Sequence, residues 1–378
     1  MVSFLLRPRT LFLALGFVLL IAFPYLYKLP LISIVLSDLR NRQAAGFAIW
    51  LIILMGLNLL TGYSGQISLG HAAFVAVGAY IGAILMINAG MPVLAAVLLA
   101  GLLTGLIGLL IGIPALRLSG PYLAIATLAL IIVLPQILKL DRNVLGLHHV
   151  ISQWTGGVSG LEVSQPGVPV FLNRGLGMTV YQWLYYNCMA IAVVMTAMAW
   201  SLTRSRIGRA FIALRDSEIG AEQMGINVSL YKVAAFGLSA LYGGVGGALY
   251  FRYQTAFVGP TSWDVLWSLT FLTMIVLGGL SSVTGTIFAA AIMTMRIDIT
   301  NWIASGIGHF PAGGKLGIDE SRGAIFGLLL ILTIIFTPKG AAGSLAHLKE
   351  ADISDKIARL LAKAKRLFRP KGAEAPGD

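Results

Sequence analysis

Two short stretches hold most of the side chains whose type and spacing suit them for work beyond packing. The first, residues 204–232, reads RSRIGRAFIALRDSEIGAEQMGINVSLYK. Asp216 or Ser217 can accept hydrogen bonds from the first free amides of a helix, and Gly225 can end that helix in the left-handed conformation. Glu218 and Glu222 stand four apart, so they share a face and complement the helix dipole. The predicted unit, Ser217 to Met224, is only about two turns long. Fixed at both ends, it suits mechanical work: it can pass on a push from a partner. An ordinary loop helix on the membrane surface is the alternative. Four arginines, Arg204, Arg206, Arg209 and Arg215, place the segment on the cytoplasmic side by the positive-inside rule.

The second stretch, residues 62–74, reads GYSGQISLGHAAF. Gly62, Gly65 and Gly70 permit unusual backbone angles, and Gln66, Ser68 and His71 can satisfy backbone groups freed by a break in a helix. The expectation is a broken helix start near a cytoplasmic gate. A fully satisfied packing turn is the alternative.

Covalent chemistry has little support. The chain lacks a G-x-x-x-x-G-K-[ST] loop, so it is not expected to bind ATP by that route. His148 and His149 are adjacent, which is poor spacing for a metal on one helix face, and no Cys/His cluster has zinc spacing. No cofactor is expected on this chain, and no enzymatic activity. Arg296 and Asp298 stand two apart and point in different directions on a straight helix, while Asp264 falls at a span end. A proton- or sodium-driven carrier would show more carboxylates at mid-membrane.

The elements that must position these residues are membrane helices. The 378 residues are 57% hydrophobic and 11% charged, against about 25% charged in soluble proteins. Apolar runs recur at ~17–25 residues, the length that crosses a bilayer. They are continuous, not alternating, which favours helices over a barrel. The fold class is all-α: a polytopic helical membrane protein with about ten spans, read at 11–27, 44–60, 67–87, 92–113, 121–138, 180–203, 231–251, 264–280, 283–305 and 322–338. The first is read as a retained span in place of a cleaved leader. The third is the least regular, since it carries Gln66, Ser68 and His71.

An even span count and the distribution of Lys and Arg predict both termini inside. The transmembrane domain covers 1–340, with the island 204–230 on the cytoplasmic side and a long loop on the opposite side at 139–178. A basic amphipathic tail follows at 341–378. The net charge of +12 sits largely beside membrane segments, so anionic lipid is the expected partner and nucleic acid is not. Pairs of glycines four apart, such as Gly78 and Gly82 or Gly108 and Gly112, predict close helix packing. Cys188 is the sole cysteine and is expected to be an ordinary buried residue.

These residues resemble a known family. Gly62-Tyr63-Ser64-Gly65-Gln66-Ile67-Ser68-Leu69-Gly70-His71 is similar to the Gly-Tyr-x-Gly-Gln-x-Ser-Leu-Gly-His stretch of permeases in ATP-binding-cassette importers for branched-chain amino acids, specifically the longer, LivM-type permease. Gly208-Arg209-Ala210 with Arg215, Glu218, Ala221, Gly225 and Ile226 resembles the cytoplasmic loop by which such permeases contact their ATPases. Thr155-Gly156-Gly157, Gly278-Gly279-Leu280 and Pro338-Lys339-Gly340 match further. Departures are Gly220 for a more common Ala, Ser281 and Ser282 in a turn otherwise richer in glycine, and Val158-Ser159 for a more polar pair.

The resemblance implies a bacterial inner-membrane importer subunit. Its partners would be two ATPase subunits, a sister permease and a periplasmic solute-binding protein that carries most of the specificity. It implies an ATPase-coupling role for Arg209, Arg215, Asp216, Glu218, Ala221, Glu222 and Gly225. Permeases for urea and short amides are closely similar, and a lone secondary carrier is the alternative from another class.

Overall fold

The computed structural model describes residues 38–118, 120–139, 154–163 and 179–307, with side chains between 42 and 295. The predicted spans 11–27 and 322–338, the tail 341–378, His148, His149 and most of the 139–178 loop lie outside the described residues.

The other eight predicted spans are all helical. They form α1 (Asp38–Leu57), α2 (His71–Ile87), α3 (Val93–Ala115), α4 (Pro121–Leu138), α5 (Val180–Arg204), α8 (Val228–Tyr250), α9 (Val265–Gly278) and α10 (Val283–Ile307). Two short helices, α6 (Arg206–Asp216) and α7 (Glu218–Gln223), fill the charged island. α1 and α8 each run on into a π-helical turn, Asn58–Tyr63 and Phe251–Thr255. Five described stretches are long and apolar enough to cross a membrane: Arg42–Tyr63, Val93–Ala115, Pro121–Leu138, Val180–Arg204 and Val228–Thr255. The third predicted span is corrected. It starts at His71, not 67, and the segment before it is irregular chain.

α1 is the buried axis of the bundle, with every residue from Ala48 to Ser64 removed from solvent. α8 lies against it and against α2 and α3, and glycine permits that approach. A methyl group on Gly78 would fall 2.2 Å from the Cα of Gly244, and one on Gly108 would fall 2.3 Å from the Ala240 Cβ. α3 shows the opposite character on its outer face. Leu98, Leu102, Leu106 and Leu110 recur every four residues and are all exposed. On a helix of membrane length such a stripe suits apolar surroundings.

At one end of the bundle, Arg42 donates to the Gln254 carbonyl at 2.7 Å, and the Gln254 side chain returns a bond to the Arg42 carbonyl at 3.2 Å. Trp50, Tyr250, Trp263, Trp267 and Phe271 stack together there, with Trp50 and Trp267 5.5 Å apart and nearly parallel. Asp264 caps α9 at this end by accepting from the Trp267 amide. β1 (Leu161–Glu162) pairs antiparallel with β2 (Phe257–Val258), a small exception to the all-α expectation. This two-residue ladder ties a described piece of the long loop to the chain leaving α8. The island lies at the other end.

Candidate coupling site

The island is built from consecutive caps. Ser205 closes α5 and accepts from the Ile207 amide to start α6. Arg209 donates to the Arg204 carbonyl at 3.3 Å, covering one of the acceptors freed where α5 ends. α6 buries Gly208, Ala210, Phe211 and Leu214 and leaves its arginines outside. Ser217 then adopts an extended conformation that separates α6 from α7, and its hydroxyl accepts from the Gly220 amide at 3.0 Å. Of the two predicted caps, Ser217 is the one used. Asp216 ends α6 and pairs with Arg215 at 2.9 Å.

Gly225 has φ +79°, as the predicted left-handed stop requires. The Ile226 amide donates to the Ala221 carbonyl and the Gly225 amide to the Glu222 carbonyl, the paired bonds of a Schellman ending. Asn227 then caps α8 by accepting from the Leu230 amide. Every bend in the island has its own hydrogen bond, so the segment is stiff for its length.

The faces of α7 differ from the expectation in two respects. Ala221 is fully buried, so it seats the helix and presents nothing outward. Glu218 is not simply a free docking charge. Its Oε2 accepts from the Lys232 Nζ at 2.6 Å, and the Lys232 side chain is only 11% exposed. Glu218 therefore also anchors α7 to the start of α8, while Glu222 stays exposed. What α7 does offer outward is apolar. Ile219 is 74% exposed and Met224 70%. Sequence reasoning did not single out either residue, because the face pattern of so short a helix does not reveal which side is seated.

The second stretch is a break, packed tightly. The π turn ends with the Ser64 hydroxyl donating to the Leu60 carbonyl at 2.6 Å. The Gln66 amide nitrogen donates to Ser64 Oγ at 3.0 Å and to the Lys232 carbonyl at 3.4 Å. Ser68 Oγ accepts from the Gly70 amide, and Thr127 on α4 accepts from the Leu69 amide. His71 is fully buried between two partners, the Ile53 carbonyl at 3.0 Å and the Ser239 hydroxyl at 3.1 Å. A carbonyl only accepts, so Nε2 carries the proton and Nδ1 accepts from Ser239. A neutral imidazole meets both demands.

Glycine is required where the break touches its neighbours. At Gly70 a Cβ would fall 2.1 Å from the Thr127 carbonyl oxygen. Gly65 has φ +74°, and a Cβ there would fall 2.7 Å from Arg215 Cγ. Gly62 faces the Asn58 side chain and the Ser281 amide. Gln66, Ser68 and His71 are thus internally satisfied, as in the packing-turn alternative. Between Thr61 and Gly70 only Gly65 and Ile67 are exposed. The structure also brings the two stretches together: the Arg215 stem covers Gly65, and Gln66 bonds the backbone of Lys232.

A cavity of about 290 Å³ opens between α2, α3 and α4. Its lining is entirely apolar, with Phe74, Ile107, Leu130 and Leu134 among the walls, so it offers no side-chain partner to a charged solute.

Comparison with known proteins fits this organisation. Residues 42–334 match the family model described as branched-chain amino acid transport system / permease component. The chain is 30% identical to the high-affinity branched-chain amino acid transport system permease protein LivM of Salmonella typhimurium over 329 residues, covering 84% of this chain and 74% of that protein. It is 30% identical over 341 residues to the LivM protein of Escherichia coli, covering 88% and 74% respectively. A shorter match, 30% over 146 residues, 37% of this chain and 39% of the relative, is to the autoinducer 2 import system permease protein LsrC of Escherichia coli. No solved structure matches. With its buried helical axis, its broken second stretch and more than two thirds of its length matched, the chain belongs to the family of permease components of branched-chain amino acid transport systems.

Proposed function

We propose that this chain is a membrane-spanning subunit of an ATP-driven importer for branched-chain amino acids. It forms half of the translocation pathway, and separate subunits hydrolyse ATP. The observation that carries the reading is the island: a short helix capped at both ends, seated on buried Ala221 and presenting Ile219 and Met224 outward. A soluble motor needs such a part to push against. In this reading α7 docks in an apolar groove of an ATPase subunit, with Arg209 and Glu222 at the rim. Arg215, Asp216, Glu218 and Gly225 hold its shape.

The assembly has two ATPase subunits, a sister permease and a periplasmic binding protein in the inner membrane of a bacterium. The termini and the island lie in the cytoplasm, the 139–178 loop in the periplasm, and the basic tail on the lipid surface. Gly62, Gly65, Gln66, Ser68, Gly70 and His71 brace the cytoplasmic gate as packing residues. The apolar lining of the cavity beside α2 supports placing specificity in the binding protein.

The complete set of subunits, reconstituted in nanodiscs, tests this. Ile219→Asp and Gly225→Val should reach the membrane at normal levels yet lose ATPase co-purification and substrate-stimulated hydrolysis. Retention of both properties in both variants would return α7 to the status of a surface loop helix. Leucine uptake through the loaded binding protein, with urea and acetamide as competitors, tests the substrate.

A further inference from the structure

The island also touches the bundle beyond its Lys232 contact. Arg215 Nη1 donates to Ser281 Oγ at 2.6 Å. That hydroxyl donates in turn to the Gly62 carbonyl, also at 2.6 Å. The Ser281 amide donates to Asn58 Oδ1 at 3.0 Å. Asn58, fully buried on the π turn that ends α1, gives its amide hydrogens to the Ser282 carbonyl and to Thr286 Oγ1 on α10. One serine therefore joins the end of α6, the end of α1 and the corner between α9 and α10.

Its backbone makes the arrangement more telling. Ser281 has φ +59°, a conformation in which a residue with a Cβ costs free energy and persists only where its surroundings fix it. Glycine would adopt the same angle without that cost. What glycine would lose is the hydroxyl that spans Arg215 and Gly62.

We infer that Ser281 is a positioning residue for transport, bridging the island to α1 and α10 so that movement of the island displaces both helices together. The inference rests on the coupling reading above. The Glu218–Lys232 ion pair reaches α8, whereas the Arg215–Ser281 bond reaches the end of α1 and the corner between α9 and α10 directly. Without it, motion of the island would pass to α1 only through packing and the Gln66–Lys232 bond, and transport would be less tightly tied to hydrolysis.

The test uses the full complex in proteoliposomes, with ATP hydrolysis and substrate uptake measured on the same samples. Ser281→Gly keeps the turn and deletes the bridge. The expected result is normal assembly and near-normal stimulated hydrolysis, with substrate moved per ATP reduced about 5-fold or more, the lower range for an energetic coupling between sites. Arg215→Gln removes the same bond from the other partner while keeping the stem over Gly65, and also gives up the exposed pair with Asp216. The double variant should be no worse than the poorer single, since both cut the Arg215–Ser281 link. An unchanged transport-to-hydrolysis ratio in both singles, or losses that add in the double variant, would overturn the inference. Loss of ATPase co-purification in Ser281→Gly would also count against it, because the bridge would then serve docking. Failure of the docking reading itself shows separately, as retained co-purification and stimulation in Ile219→Asp.

Discussion

The two ends of the bundle are held together by different kinds of force. At the Arg42 end, five aromatic rings stack around a reciprocal Arg42–Gln254 pair, and Asp264 caps the helix that carries two of the rings. Large apolar areas meet there, and dispersion between them is insensitive to small angular changes. At the island end, the packing of Phe211 and Ala221 is joined by polar bonds from single side chains: Gln66 to the Lys232 carbonyl, Arg215 to the Ser281 hydroxyl and Lys232 to the Glu218 carboxylate. Such bonds depend steeply on geometry and exchange readily with water. One end is fastened, and the other is latched. A permease driven from the island side would require that asymmetry.

The comparison can be broken most sharply at the aromatic end. Trp263 is 3% exposed and contacts Tyr250, Trp267 and Phe271. Trp263→Ala should cost about 3–5 kcal/mol of stability, the usual range for emptying an aromatic site. Thermal denaturation of the purified subunit in nanodiscs measures this. Molecules that stay folded should keep ATPase binding, and loss of that binding at full stability would erase the distinction between the ends.

His71 probes the polar core between the two ends, where it also packs against Phe271. His71→Leu removes both bonds and strands the Ile53 carbonyl and the Ser239 hydroxyl, at about 1–3 kcal/mol for each buried group left unmade. His71→Leu combined with Ser239→Ala should recover part of the loss, because one orphan disappears. The same denaturation assay reads both variants, and a double variant weaker than the single would contradict the pairing of His71 with Ser239.

Asp264→Ala deletes a cap at the fastened end and should cost about 1 kcal/mol with unchanged coupling. The smallest thermodynamic effect belongs to Glu218→Gln. Glu218 is 52% exposed and Lys232 11%, so the pair is half in solvent, and since the amide of glutamine can still accept from Lys232 the change should cost no more than about 1 kcal/mol, less at high salt. The midpoint of unfolding should hardly move, whereas stimulated hydrolysis should fall and should depend less on salt than in the parent. A large stability loss with normal hydrolysis would reverse the roles given to the two ends.

Much of this architecture was legible beforehand. The membrane helices were readable because their apolar runs are continuous, and α7 because Ser217 and Gly225 are local signals whose partners lie within a few residues. Gln66, Ser68 and His71 mark the third span as irregular, but they do not say where its helix begins. Only the positive φ of Gly65 and bonds to Thr127 and Lys232 show that the irregular chain precedes His71. Ser281 was noted as a departure from a glycine-rich turn, but its partners Gly62 and Arg215 stand 219 and 66 residues away. Composition and periodicity carry no information about such pairings. The π turns at the ends of α1 and α8 were likewise invisible, since nothing in Asn58–Tyr63 or Phe251–Thr255 distinguishes them from ordinary last turns.

The two-residue ladder between Leu161–Glu162 and Phe257–Val258 is slight, but its position gives it leverage. From Val228 to Thr255 the helical run beneath it spans 28 residues, about 42 Å at 1.5 Å per residue. That run starts at the cap beside α7 and finishes where the long loop is stitched on. It is one continuous helical strut, long enough to cross a membrane. A pull on the described piece of the loop would act on a rod whose far tip bears the Lys232 contact with Glu218.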